Sequence, residues 1–194
     1  MIILVMLLRA AFGIVLVSFI ARFLAQLARA NFYNPLAQTI VKITDPFVKP
    51  VRRFVPGLGG MDVSTLLLVY IGQVLFGVVL ILLSGQSPMS LITNLLLWGL
   101  VATPALILTV IQFSMIIVGV MSFVLMGQRN PFVDFIGEMI EPFVGPFRRM
   151  NLKIGMLDLS FMLAFFVIII LKDVVLMQYV GGLLGYPVGV FIGL

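Results

Sequence analysis

Residues 34–64 read NPLAQTIVKITDPFVKPVRRFVPGLGGMDVS, and residues 130–160 read NPFVDFIGEMIEPFVGPFRRMNLKIGMLDLS. The two stretches align without a gap at an offset of 96 residues. Asn34-Pro35 recurs as Asn130-Pro131, Pro46-Phe47-Val48 as Pro142-Phe143-Val144, and Pro50 as Pro146. Arg52-Arg53 recurs as Arg148-Arg149, Gly59 as Gly155, Asp62 as Asp158 and Ser64 as Ser160. This many coincidences in a stretch of about 31 residues exclude chance, so the chain is a duplication.

Working outward, each copy is flanked by long apolar runs. They cover about Ile2–Leu27, Val63–Leu83, Leu95–Met126 and Leu159–Leu176. Each is long enough to cross a hydrocarbon core of about 30 Å as a helix. The third exceeds one crossing, and Pro104 near its start predicts a kink. Composition agrees with this reading. The chain has 194 residues, 62% hydrophobic and 10% charged. That charge is too sparse to cover a water-exposed surface, where about 25% is usual. The chain opens with MIILVMLL, and Arg9 follows the apolar start. This order lacks the basic-first form of a cleavable signal and predicts a retained first helix.

The expected fold is an all-α membrane protein of four transmembrane helices in two parallel tandem repeats. Repeat 1 covers 1–90 and repeat 2 covers 97–180, with an apolar Gly-rich tail at 181–194. Two spans per unit return the chain to its starting side, so the repeats are related by a pseudo-two-fold axis along the membrane normal. Each unit carries a short amphipathic helix, at 35–45 and 131–141. Asn34 and Asn130 are suited to the N-cap, with proline at the first helical position. Leu36, Ile40, Ile43 and Phe47 recur at helical spacing, opposite Gln38, Lys42, Asp45 and Lys49. In the second copy Phe132, Ile136, Met139 and Phe143 oppose Asp134, Glu138 and Glu141. Such a helix fits the membrane interface. The tail's Gly181, Gly185, Gly189 and Gly193, interrupted by Pro187, suggest a re-entrant or interfacial segment.

Ten of the twelve Lys and Arg residues lie in or beside the two amphipathic connections. The positive-inside rule places those connections in the cytoplasm, with both termini outside. It also explains the net charge of +5 without a nucleic-acid partner. The chain has no Cys and no His, which removes disulfides, thiol and imidazole chemistry and the usual metal ligands. Nothing implies a metal or other cofactor. The twelve Met residues are scattered and read as adaptable packing.

The repeated signature is Asn-Pro, then Pro-x-x-x-Pro-x-Arg-Arg, then Asp-x-Ser at the next span. It resembles the YggT family of bacterial inner-membrane proteins, in a two-repeat form, over essentially the whole chain. The resemblance implies a bacterial inner-membrane location and roles tied to cytochrome assembly, envelope organisation, or osmotic and ion tolerance. Family members often have proline soon after Asp-x-Ser, whereas Thr65 and Phe161 stand here.

Several residues admit two readings. Arg52, Arg53, Arg148 and Arg149 are either binding groups for anionic lipid headgroups or a membrane-protein partner, or plain topology charge. Asp62 and Asp158 are either a cation or proton site or, with Ser64 and Ser160, helix caps. Arg9 and Arg22 lie near enough to span ends to snorkel. Lys172 and Asp173 pair or lie at the interface, and Gln73 and Gln112 are mid-span amides suited to bonding between helices. Lys42 and Lys49 on the first amphipathic helix are expected to face Glu138 and Glu141 on the second. The function read from these features is a non-enzymatic membrane scaffold or assembly factor. The alternative is a channel or passive transport module running along the pseudo-axis. No nucleophile–base pair supports an enzyme.

Overall fold

A computed structural model describes residues 2–125, 128–154, 157–186 and 190–192. The protein is an all-α membrane protein. Helix α1 is Ile2–Leu27, α2 Pro35–Arg52, α3 Val63–Leu83, α4 Ile92–Leu125 and α5 Pro131–Arg148. Helix α6 begins as Leu159–Ile169 and continues in wider π-helical turns over Ile170–Gly181. Four of these helices, counting a 3₁₀ turn at Pro88–Leu91 with α4, are long and apolar enough to cross a membrane. A two-residue pairing of Lys153–Ile154 (β1) with Leu157–Asp158 (β2) leads into α6.

The first two spans have the expected limits, and the fourth runs on to Gly181. The amphipathic helices are longer than the sequence suggested. Instead of stopping before Pro46 and Pro142, both run on to the first arginine of the Arg pair. A proline inside a helix leaves the carbonyl four residues earlier without its donor. Here the residues so affected are Lys42, Pro46, Glu138 and Pro142, and all four are exposed, where the surroundings can hydrate the carbonyl. Asn34 and Asn130 cap the two helices, accepting from Leu36 N and Phe132 N at 2.9 Å each.

The apolar face of α2 is divided. Ala37, Thr44 and Val48 are buried against the bundle, whereas Ile43 and Phe47 are more than half exposed. Asp45, grouped by its spacing with the polar face, turns instead toward α1. Helix α5 is more fully apolar on its inner side, burying Phe135, Ile136, Met139, Ile140 and Val144.

Helices α1 and α2 pack together as do α4 and α5, and α3 packs on α1 as α6 does on α4. The outer contacts break the two-fold relation. Helix α3 also packs along α4, but α6 has no comparable contact with α1 among the described residues. The tail lies against α1, α3 and α4. Phe191 is fully buried with Ile81, Leu95 and Ala102. Gln73, at the middle of α3, donates from Nε2 to Ile192 O at 3.1 Å and accepts from Ile192 N at 3.0 Å. Arg9 donates to Phe191 O at 3.4 Å, and Trp98 to Leu184 O at 2.9 Å. The described end of the tail therefore lies level with a mid-span residue of α3. Backbone at that depth must be satisfied by protein, and the Gln73 amide supplies both a donor and an acceptor. Gly77 makes room for this, since a Cβ there would stand 2.8 Å from Leu95 and 3.5 Å from Phe191. Of the glycine ladder, Gly189 and Gly193 lie outside the described residues, as do Pro187 and Gly155.

Gln73→Leu removes both bonds and leaves the Ile192 backbone unpaired in the bundle. Intramembrane hydrogen bonds contribute about 0.6–2 kcal/mol each, so the tail should open roughly tenfold more often or beyond. The chain has no cysteine, so Ile192→Cys supplies a single thiol. Its maleimide labelling should be slow alone and at least about tenfold faster with Gln73→Leu; equal rates would refute the clamp.

Candidate lipid and partner interface

The basic face is built on two charge pairs within the first repeat. Arg22, near the end of α1, is 6% exposed and does not snorkel. Its Nη1 donates to Thr44 Oγ1 at 2.7 Å and to Asp45 Oδ1 at 2.8 Å. Both acceptors are on α2. Asp45 is shared with Lys49, one turn on, at 2.7 Å. The Lys49 hydrogen bond, with that of Arg22, outweighs partial burial and holds the Asp45 carboxyl below its ordinary value. A desolvated cation needs such partners, because an unpaired charge in this position costs several kcal/mol.

The second pair joins the Arg motif to the next span. Asp62 is 1% exposed and is the N-cap of α3, accepting from Thr65 N at 3.3 Å and Thr65 Oγ1 at 2.6 Å. Arg52 grips the same carboxylate with two nitrogens, Nε at 3.3 Å and Nη2 in a shorter contact. Arg52 Nη2 also donates to Gln26 Oε1 of α1 at 3.0 Å, so one guanidinium links α1, α2 and α3. Burial raises the Asp62 pKa, but the bonds from Arg52 and Thr65 prevail and lower it below the ordinary value.

The Arg pair therefore has divided roles. Arg52 is bound within the protein, whereas Arg53 is exposed and has no ion-pair partner among the described residues. Arg148 bonds Glu141 at 2.7 Å, and Arg149 is exposed and likewise unpaired. Ser64 is not a cap; its hydroxyl donates to Val55 O, and Thr65 completes the Asp62 arrangement. Ser160 accepts from Leu152 N at 3.2 Å, tying the second connection to α6 in a similar way. The Asp158 side chain lies outside the described part. Lys172 pairs with Asp173 at 3.3 Å.

The expected pairing of Lys42 or Lys49 with Glu138 or Glu141 is not present among the described residues. Lys49 is held by Asp45, Glu141 by Arg148, and Glu138 accepts from Asn31 N at 2.8 Å. Partners on the same helix, or a fixed backbone N–H, satisfy these groups at less entropic cost than two long exposed side chains meeting across repeats. The repeats do bond to each other, through that Asn31 contact and through Asn34 Nδ2 to Pro131 O at 2.6 Å.

Two clefts of about 540 and 460 Å³ adjoin at Ala28, Glu141 and Arg148, between the α1–α2 connection and the polar side of α5. They also present Arg29, Glu138 and Arg149. Where the repeats face each other nearer the bundle, a different groove of about 440 Å³ is apolar. It is lined by Val17 and Ala21 of α1, Leu36 and Ile40 of α2, Phe113 and Ile117 of α4, and Phe132 and Ile136 of α5, among others. The mid-span amides differ: Gln73 is fully bonded to the tail, while Gln112 Oε1 has no donor among the described residues.

Spacing alone missed Arg22–Asp45, Gln26 and Thr65. A charge inside an apolar run was the available signal for the first, since such residues pair or serve function.

These features define a multi-pass helical membrane protein made of repeated two-span units with interfacial helices. The chain belongs to the CCB3/YggT family, whose model matches residues 1–83 and 97–179. The two matched segments start 96 residues apart, the offset of the repeated motif. An uncharacterized protein of Pseudomonas aeruginosa is 36% identical over 166 residues, covering 86% of this chain and 84% of the relative. An uncharacterized protein of Vibrio alginolyticus is 36% identical over 154 residues, covering 79% and 83%. The uncharacterized protein YggT of Escherichia coli K12 is 33% identical over 135 residues, covering 70% and 69%. No solved structure matches the chain.

Arg52→Ala leaves the Asp62 carboxylate buried without its cation. Cutting one side of a buried pair costs about 3–5 kcal/mol, and with Arg52 40% exposed we expect about 2–3. Arg53→Ala should stay within about 0.5 kcal/mol. Because the folded Asp62 pKa is depressed, its stabilisation is complete above the ordinary value of 3.8 and is lost as pH falls through the folded value. Thermal unfolding in detergent across pH measures this. Equal stability of the two variants at neutral pH would refute the division of roles.

Proposed function

We propose that the protein is a non-enzymatic membrane scaffold or assembly factor. Its basic face lies on the cytoplasmic side of a bacterial inner membrane and engages anionic headgroups and a membrane-protein partner. The observation that carries this reading is the distribution of charge. No charged side chain lines the groove where the two repeats face each other, and Thr109 and Ser114 are its polar lining residues, so a permeation path for ions finds little there to replace an ion's water. The charge that is not used internally is displayed outward instead. Lys42, Arg53 and Arg149 are exposed and form no ion pair among the described residues. Exposed Phe54 and Met150, beside the two Arg pairs, give the same surface apolar contacts suited to a headgroup layer or a protein partner.

The test combines transport and contact. Reconstituted in phosphatidylethanolamine–phosphatidylglycerol liposomes, the protein should give potassium and water fluxes equal to protein-free vesicles. Photo-crosslinking amino acids at positions 53 and 149 should capture a discrete membrane protein in cells, while one at position 123 captures lipid alone. Flux above the protein-free level would replace this reading with the channel reading.

A further inference from the structure

The fourth span runs from Leu159 to Gly181, which carries Lys172 and Asp173 inside it rather than to its edge. Their side chains meet at 3.3 Å, and this is the one polar contact that either makes among the described residues. Neighbouring positions on a helix do not face each other, so the contact leaves most of the bonding capacity of both groups unused. The Lys172 side chain is 14% exposed, whereas that of Asp173 is 50% exposed. Charges within a span face the bundle interior or a water-filled cavity, because hydrocarbon solvates them poorly. Asp173 does neither. It lines neither the clefts of the basic face nor the groove between the repeats.

In the first repeat the corresponding part of the span is an interface. The counterparts 96 residues earlier are Phe76 and Gly77, and both are buried. Leu95 of α4 and Phe191 of the tail stand over Gly77. Asp173 has no such cover among the described residues. Beside it Ile170, Val174 and Gln178 are exposed as well. In a helix bonded from each residue to the fifth one on, Gln178 falls one turn beyond Asp173, so the open face carries two polar groups in line. Polar side chains within spans bond to neighbouring helices.

An occupant of this face must bring a cation to Asp173 at the same depth in the bilayer. A second copy of the chain does so. Two copies inserted the same way round are related by a two-fold axis along the membrane normal, so equal residues meet at equal depth, and the shared patch must complement itself. A positive and a negative charge side by side meet that condition, since a half-turn sets each against its opposite. A patch with one sign of charge would set like against like. We propose that the chain forms a parallel homodimer through the α6 face of Ile170, Asp173, Val174 and Gln178, in which Asp173 of each copy accepts from the partner's Lys172 as well as from its own. The contact uses neither Arg53 nor Arg149, so it stands whether or not the scaffold reading does.

The chain has no cysteine, so single thiols in the full chain report contact between copies in native membranes. Leu75 is the control: it is exposed on α3, and its counterpart in the second copy is Leu171, close in depth to the pair. Val174→Cys should form a disulfide-linked dimer at least about tenfold faster than Leu75→Cys, because facing thiols react at a high effective concentration. Equal rates, or a product with another membrane protein in place of the second copy, would overturn the dimer. The charges are tested separately. Lys172→Leu with Asp173→Leu removes both and leaves neither unpaired, so the fold is kept. It should weaken the dimer, followed as dimer fraction against protein-to-lipid ratio, at least about tenfold. Differently tagged copies carry the last comparison. Copies with Lys172→Asp present two acids and copies with Asp173→Lys two bases, so inserted copies of the two kinds should co-purify with each other at least about tenfold more than with their own kind. An undiminished dimer in the leucine variant, or no preference between the two charged kinds, would overturn the pairing.

Discussion

The burial of Arg22 is the constraint on which the basic face depends. A guanidinium taken out of water must be met by fixed acceptors, and its acceptors are the Thr44 hydroxyl and the Asp45 carboxylate of α2. Helix α2 is thereby fixed in rotation as well as position. Thr44 and Val48 turn inward, Ile43 and Phe47 face outward, and Asn34 is carried to the place where it reaches the second repeat. One turn beyond Lys49, the same helix delivers Arg52 to Asp62, which caps the second span. A rotation of α2 that freed Arg22 would undo each of these contacts in turn.

The second copy solves the same packing problem without the charge. Val118 stands at the position of Arg22, Ile140 at that of Thr44, and Glu141 at that of Asp45. Helix α5 is held by buried Phe135, Met139, Ile140 and Val144, and Glu141 finds its cation in Arg148 on its own helix. Apolar packing and a buried ion pair are near-equivalent in net stability but differ in specificity. The duplicated halves have thus diverged into a charge-locked unit and an apolar unit. The tail adds to the difference. It occupies a site against α1, α3 and α4, and it reaches Gln73, whose counterpart in the second copy is Ile169.

Much of this was legible in the residues. The 96-residue repeat, four spans and caps at Asn34 and Asn130 follow from periodicity and local chemistry, which depend on near neighbours. The lengths of α2 and α5 were not legible, because proline stops a helix only when the freed carbonyl has nowhere to turn, and that depends on exposure. Nor, apart from Lys172 with Asp173, were the partners of charged residues. Sequence spacing placed Lys42 and Lys49 opposite Glu138 and Glu141 by symmetry, but nearer partners took Lys49, Glu138 and Glu141. The Arg-Arg motif was legible as a unit and not as two roles, since only the fold shows that the first arginine meets Asp62. The tail's seat beside Gln73 rests on a contact 119 residues away, beyond any local pattern.

If Arg22 locks α2 by its charge, copying the second repeat should replace the lock with packing. The decisive measurement is the unfolding free energy of Arg22→Val and of Arg22→Val with Thr44→Ile. The single variant leaves Asp45 half-buried with Lys49 as its remaining cation and should lose about 3 kcal/mol. The double variant reproduces the Val118–Ile140 pairing and should recover more than half of that loss, a coupling that independent sites would not show. Wild-type stability of Arg22→Val, or a double variant no more stable than the single, would contradict the account.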